Sequence, residues 1–290
     1  MRSRTADTQK SLSPPDALGR GILYVVSTPI GNLADLSARA VDTLRAVAAV
    51  LAEDTRHSRP LLDHYGVSAA LLPYHEHNEA SATPRLVARL LAGDSLALIC
   101  DAGTPLLSDP GARLVRAALE VSVQVTPVPG ASALLAALVV SGLAADRFTF
   151  FGFLPRRGRK RTEALSAISE LTHTAVLYEA PNRVPATLAD LAAAGAGDRA
   201  AVVARELTKR YEECSRGTVR SLHASYLREP PRGEVVVIIA GDQHSEPDED
   251  ALRTRAQELR ATGLSARDVA RVLNEEANAP RNLAYKLAHE

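Results

Sequence analysis

The chain has 290 residues, 46% of them hydrophobic, which supports one large or two ordinary domains with a real core. Lys plus Arg and Asp plus Glu both number 34, so the formal net charge is zero and the overall balance gives no support for nucleic-acid binding, leaving that to a local patch. Cys100 and Cys214 cannot make a disulfide framework and read as reduced thiols of a cytoplasmic protein. The most apolar stretch, 131–145, is interrupted by Ser132, Ser141 and Gly142 and falls short of the roughly 18 residues a membrane span needs.

Residues 1–20 are polar and Pro-containing, lack the apolar segment of a secretory signal, and are expected to form a disordered tail. An N-terminal α/β domain is expected over 21–129. Apolar runs at 22–27, 47–53, 69–74, 96–100 and 123–128 predict strands, and helical patterns fill the gaps. Positions 33, 36, 40, 41, 44 and 47 follow a 3.6 period and predict one helix; the pattern at 81–93 stops at Gly93. Asp109 is placed to cap a further helix, with Pro110 as its first residue. The alternation indicates a mainly parallel sheet. A C-terminal α/β domain with a mixed sheet is expected over 130–242, with strands at 148–154, 174–180, 200–206 and 234–241 and helices at 162–170 and 184–194. Residues 243–290 read as a charged linker and a helical extension broken near Ala279–Pro280.

The polar motifs follow the strands. STPIGNL (27–33), EDTRHS (53–58), HEHNE (75–79), DAGTP (101–105), PGASA (129–133), YEAPNR (178–183) and RELTK (205–209) each begin at a strand's carboxyl end, where open α/β sheets bind ligands. In 101–111, Pro105 and Pro110 cannot continue a ladder, Gly103 and Gly111 let a ligand approach main chain, and Asp101 and Thr104 supply polar groups. That composition suits one wall of a cofactor pocket; an ordinary capped strand–helix connection is the plainer reading. GASAL at 130–134 approaches a nucleophile elbow around Ser132 but lacks its second glycine. His75 and His77, with Glu76 and Glu79, fit no standard zinc spacing, and no metal is expected. Arg156, Arg157, Arg159, Lys160 and Arg161 form a dense basic run, read as a phosphate-contacting arm in preference to a solvated loop, with Arg267, Arg271, Arg281 and Lys286 of the tail extending it.

In order along the chain, TPIGNL, AEDTRHS, HEHNE, DAGTPLLSDPG, VPGASA, GFLPRRGRKR, YEAPNR and ARELTK resemble one group of the tetrapyrrole methylase superfamily, the bacterial small-subunit (16S) ribosomal RNA cytidine 2′-O-methyltransferases, over about residues 21–241. The chain departs from the pattern at Ser27, Ala131 and Asn182, where Pro, Pro and His are commoner. The resemblance implies two α/β domains with S-adenosylmethionine in the cleft between them, and a homodimer. By motif match it places the donor against Pro29, Asp101, Gly103, Thr104, Leu106, Ala131 and Ser132, closed from the second domain by Tyr178, Ala204 and Arg205. It implies 16S rRNA of the decoding region, free or assembled in the small subunit, as substrate. A sibling methylase acting on a small molecule or a protein, and an RNA-binding protein without activity, are the alternatives. A ribose hydroxyl is a poor nucleophile, so Glu53 or Asp54 at the same rim is a candidate to take its proton, and Arg56 to hold a phosphate; a purely structural Asp54–Arg56 pair is the competing reading.

Overall fold

The structure is a computed structural model that describes residues 19–242, 249–277, 279 and 281–290; residues 1–18 of the tail expected over 1–20, and 243–248 of the expected linker, lie outside the described residues. Strands β1 (Ile22–Val26), β2 (Ala49–Ala52), β3 (Ala70–Pro73), β4 (Leu96–Leu98) and β5 (Gln124–Val128) form the first sheet in the order β3-β2-β4-β1-β5. Every pairing in it is parallel. The central strands β1, β2 and β4 are apolar on both faces because both faces are covered. Ile22, Tyr24, Val26 and Val50 pack with Leu44 of helix α1 (Ala38–Ala46) and Leu62 of α2 (Thr55–His64). Leu23, Ala49 and Leu51 face the other way, onto Leu86 of α3 (Glu79–Leu91) and Leu114 of α4 (Ala112–Glu120). From β1 the chain runs toward β2, and from β4 it crosses to β5, so the loops after β1 and β4 diverge above adjacent strands and leave a crevice there.

Two local expectations are corrected. The helix expected from residue 33 is split: Leu33–Asp35 is a single 3₁₀ turn, and α1 starts where the Ser37 hydroxyl accepts from the Ala40 amide. Helix α4 is not capped by Asp109, nor does it begin at Pro110. Gly111, at φ 131°, is its N-cap, and Leu106 and Ser108 before it also hold positive φ (74° and 75°). This contorted path delays the helix and turns Asp109 toward the domain interface.

The second sheet is mixed, in the order β6-β7-β10-β8-β9, from β6 (Phe148–Phe153), β7 (Thr174–Glu179), β8 (Ala200–Arg205), β9 (Glu213–Thr218) and β10 (Val235–Ile239). Strands β6 and β7 are parallel and the other pairs antiparallel. Its outer face is covered by α6 (Arg159–Ser169), α7 (Val184–Leu191) and α8 (Val219–Arg228), through Ile168, Leu188 and Leu222 among others. Helix α5 (Ala133–Ser141) covers the inner face: Leu134, Ala137 and Leu138 pack on Val176, Val202 and Ile238, and Ile30 of the first domain joins the same cluster. The two domains therefore share a core beside the crevice. Helices α9 (Glu249–Ala261), α10 (Ala266–Ala277) and α11 (Arg281–His289) pack on one another through Leu252, Leu259, Val269, Leu273 and Leu287.

Candidate functional site

Three loops of the first domain are fastened into one wall. Thr28 and Gly103 exchange main-chain hydrogen bonds (2.8 and 3.1 Å), and the Thr28 hydroxyl donates to the Cys100 carbonyl (3.2 Å). Thr104 Oγ1 donates to the Ala131 carbonyl (3.1 Å) and shares a hydrogen bond with Ser27 Oγ (3.0 Å). Gly103 is buried at φ 85°, and a Cβ there would lie 3.2 Å from Ile30 Cγ2, so a bare backbone is required at this point of the wall.

This wall faces the second domain across a cleft of about 400 Å³. Asp101, Gly103, Thr104, Leu107 and Asp109 line it from the first domain together with Glu53; Phe153, Tyr178, Ala204, Leu207 and Val236 line it from the second. The volume is that of a small-molecule site. Tyr178 is held edge-on to Phe150 and against Phe153, with ring centroids 4.9 and 5.6 Å apart. Glu179 is buried but neutralised: it accepts from Thr187 Oγ1 (2.6 Å) and the Ala180 amide (2.9 Å) and pairs with Arg183 (3.2 Å).

The carboxylates of the rim differ in state. Burial, and then the charge of Asp101, push Glu53 above its usual value, against a smaller opposing effect of His75. Asp109 is pushed up to about 6 by burial and by Glu53. Asp54 goes the other way. Its Oδ1 accepts from the Arg56 amide (2.8 Å) and Nε (3.1 Å), its Oδ2 from Arg56 Nη2 (2.8 Å), and this guanidinium holds it well below the usual carboxylate range. It also caps α2, so Asp54 and Arg56 are engaged with each other at an exposed helix start.

Of the motif-matched residues, Asp101, Gly103, Thr104, Tyr178 and Ala204 converge on the cleft. The others do not line it. Pro29 is buried beside a separate hollow of about 220 Å³ that shares only Asp101 with the cleft. Leu106 packs into the first-domain core, and the neighbouring Leu107 takes the cleft position. Ala131 touches the wall through its carbonyl, and the Ser132 hydroxyl sits at the start of α5 as its cap, accepting from the Leu135 amide (3.5 Å). Arg205 turns away to Glu213 (2.8 Å). In the basic run, Arg156, Arg157 and Lys160 are exposed and carry no ion pair among the described residues, while Arg159 pairs with Glu163 (2.6 Å). Arg161 is no part of an exposed arm. It donates to Asp190 (2.7 and 2.9 Å), Thr187 and the Pro155 carbonyl, pinning α6 to α7. Asp109, Phe153, Leu207 and 233–236 are cleft residues that the sequence did not disclose. Asp109 carried a polar signal, but the same Ser-Asp-Pro-Gly pattern serves a helix cap. The 233–236 segment needed the direction of β10, which is antiparallel to its neighbours and so brings its amino end to the rim.

Two α/β domains closing on one cleft at their strand ends, with apolar walls, bare backbone and unpaired carboxylates, define a protein that holds a nucleotide-sized small molecule between domains. A profile of the Tetrapyrrole (Corrin/Porphyrin) Methylases matches residues 22–223, and the chain belongs to that family. Within it, the chain is 45% identical over 273 residues to the ribosomal RNA small subunit methyltransferase I of Synechocystis sp. (93% of this chain, 98% of that one). It is 44% identical over 280 residues to the protein of the same name from Pseudomonas aeruginosa, with the same coverage. Among solved structures, diphthine synthase superposes with a TM-score of 0.59 at 17% identity, covering 76% of this chain and 89% of that one. Uroporphyrin-III-C-methyltransferase from Thermus thermophilus gives 0.55 at 18% identity, covering 76% and 94%. These two likenesses are of fold.

Proposed function

We propose that this methyltransferase uses S-adenosylmethionine to methylate the ribose 2′-oxygen of a cytidine in 16S ribosomal RNA, in the decoding region of the small subunit, and that it works as a cytoplasmic homodimer. The observation that carries the reading is the 44–45% identity, over nearly the whole chain, to proteins named for methylating small-subunit ribosomal RNA. The tetrapyrrole and diphthine enzymes share the fold at 17–18% identity and lend no weight to a small-molecule or protein substrate.

The lining chemistry fits the donor. Phe153, Tyr178, Leu207 and Val236 offer aromatic and aliphatic surface to an adenine, Gly103 and Thr104 offer main chain and a hydroxyl to the amino-acid end, and Glu53, Asp101 and Asp109 set negative charge near a cation. When bound, S-adenosylmethionine supplies an activated methyl group on a sulfonium. The protein's share is alignment, which contributes about 7–11 kcal/mol in well-oriented reactions. Glu53 accepts the ribose proton: it lines the cleft, burial raises its basicity, and it lacks an ion-pair partner among the described residues, whereas both oxygens of Asp54 are occupied by Arg56. Arg156, Arg157 and Lys160 steer the RNA phosphates, with Arg159 beside them at the start of α6.

The dimer is supported by α5. It is apolar on every side, yet Leu135, Val139 and Val140 point outward, Val139 with 75% of its surface exposed. No helix among the described residues is long and apolar enough to cross a membrane. Calorimetric titration with S-adenosylmethionine tests the donor site; micromolar binding supports the reading, and no binding at millimolar donor contradicts it.

A further inference from the structure

Asp109 is a cleft residue whose side chain has one weak partner in the fold, the Cys100 thiol, which donates to its carboxylate. It caps no helix, because Gly111 occupies that position, and it has no ion pair among the described residues. The chain nevertheless holds a costly path to place it. Leu106 and Ser108 sit at φ 74° and 75°, and Gly111 at φ 131° packs so closely that a Cβ there would lie 2.6 Å from Leu98 Cδ2. Ser108 Oγ lies 2.9 Å from where a Gly152 Cβ would stand, so this bend reaches the second domain. Among the described residues its surroundings offer no cation. Glu53 and Asp101 are its charged neighbours, burial pushes the adjacent Cys100 thiol up and keeps it neutral, and the Lys209 ammonium is taken by Glu206 (2.9 Å) and Glu234 (3.1 Å). His75 acts on Glu53, one strand further out.

Resting on the donor reading above, we propose that Asp109 distinguishes the charged donor from its spent product: its carboxylate faces the cationic sulfonium and gains nothing from the neutral thioether left after transfer. A half-buried carboxylate crowded by two others is stabilised by any positive charge brought within a few ångströms, and the effect is strong where water is excluded. The value of about 6 that burial and Glu53 impose on Asp109 fits a group whose partner arrives with the ligand. The consequence is directional. Fresh donor is retained, and product is held only by contacts common to both molecules, which favours its release after each turnover.

The test is calorimetric titration of the full chain at pH 8 with S-adenosylmethionine and, separately, with S-adenosylhomocysteine, for wild type and Asp109→Asn. The expected result is an affinity for the sulfonium lowered by about tenfold or more, with that for the thioether changed by less than about twofold. Equal loss for both, or no loss for either, overturns the proposal. Should Asp109→Asn bind neither, Asp109→Glu decides: the wild-type preference for the sulfonium upholds the proposal, and a preference abolished although the charge is kept overturns it. Failure of wild type to bind either molecule is a separate outcome, and it removes the donor reading itself.

Discussion

Glu53 and Asp54 are joined by one peptide bond and face different chemistry. The end of β2 aims Glu53 into the cleft, and the first turn of α2 aims Asp54 at Arg56. Glu53→Gln is expected to lower methyl transfer by about 10²-fold or more even at saturating donor. Asp54→Asn, which keeps a capping oxygen but loses the ion pair, is expected to leave transfer within a few-fold and to lower the melting temperature only slightly. Asp109 gives a stability prediction with a definite sign. Its folded value of about 6 lies above the ordinary aspartate value of 3.8, so the folded state binds more protons between those limits, and stability falls as pH rises from about 4 to about 6. Asp109→Asn is therefore expected to raise the melting temperature at pH 8 and leave it unchanged at pH 4. Spacing alone could not separate these roles, because a carboxylate one residue before a proline and a glycine suits a helix cap as well as a pocket.

At the scale of elements, the strands were legible wherever both faces are buried, since β1, β2 and β10 are continuous apolar runs. Strand β9 was not: Glu-Cys-Ser-Arg-Gly-Thr is an edge strand with little apolar content, held by its ladder to β8. Helix α8 after it starts with a reciprocal cap between Thr218 and Ser221, and Ser in place of the usual Glu or Gln hid the signal. The basic run illustrates a different limit. Five cations in six residues looked alike, but the turn at Gly158 leaves Arg156 and Arg157 in solvent and folds Arg161 under α7. Arg156→Glu with Arg157→Glu is expected to weaken RNA binding and flatten its salt dependence without moving the melting temperature. Arg161→Ala is expected to destabilise by about 1–3 kcal/mol, measured by thermal or urea unfolding, through the bonds lost to Asp190 and Thr187.

For the molecule as a whole, the convergence of strand-end loops on one cleft was legible from the order of motifs, because parallel strands place all their carboxyl ends at one rim. The facing wall was less so, since the mixed second sheet brings the start of β10 and the ends of β7 and β8 to the same place. The outward face of α5 belongs to this scale too. If the proposed dimer forms through this face, sedimentation velocity is expected to show a dimer for wild type and a monomer for Val139→Asp, with circular dichroism the same for both. The most direct test of the account is transfer of a labelled methyl group from S-adenosylmethionine to small-subunit ribosomal RNA by the purified protein, offered both free and assembled, followed by digestion to nucleosides. The account predicts label in a single 2′-O-methylated cytidine; label on a base, or none on either form of the RNA, would contradict it.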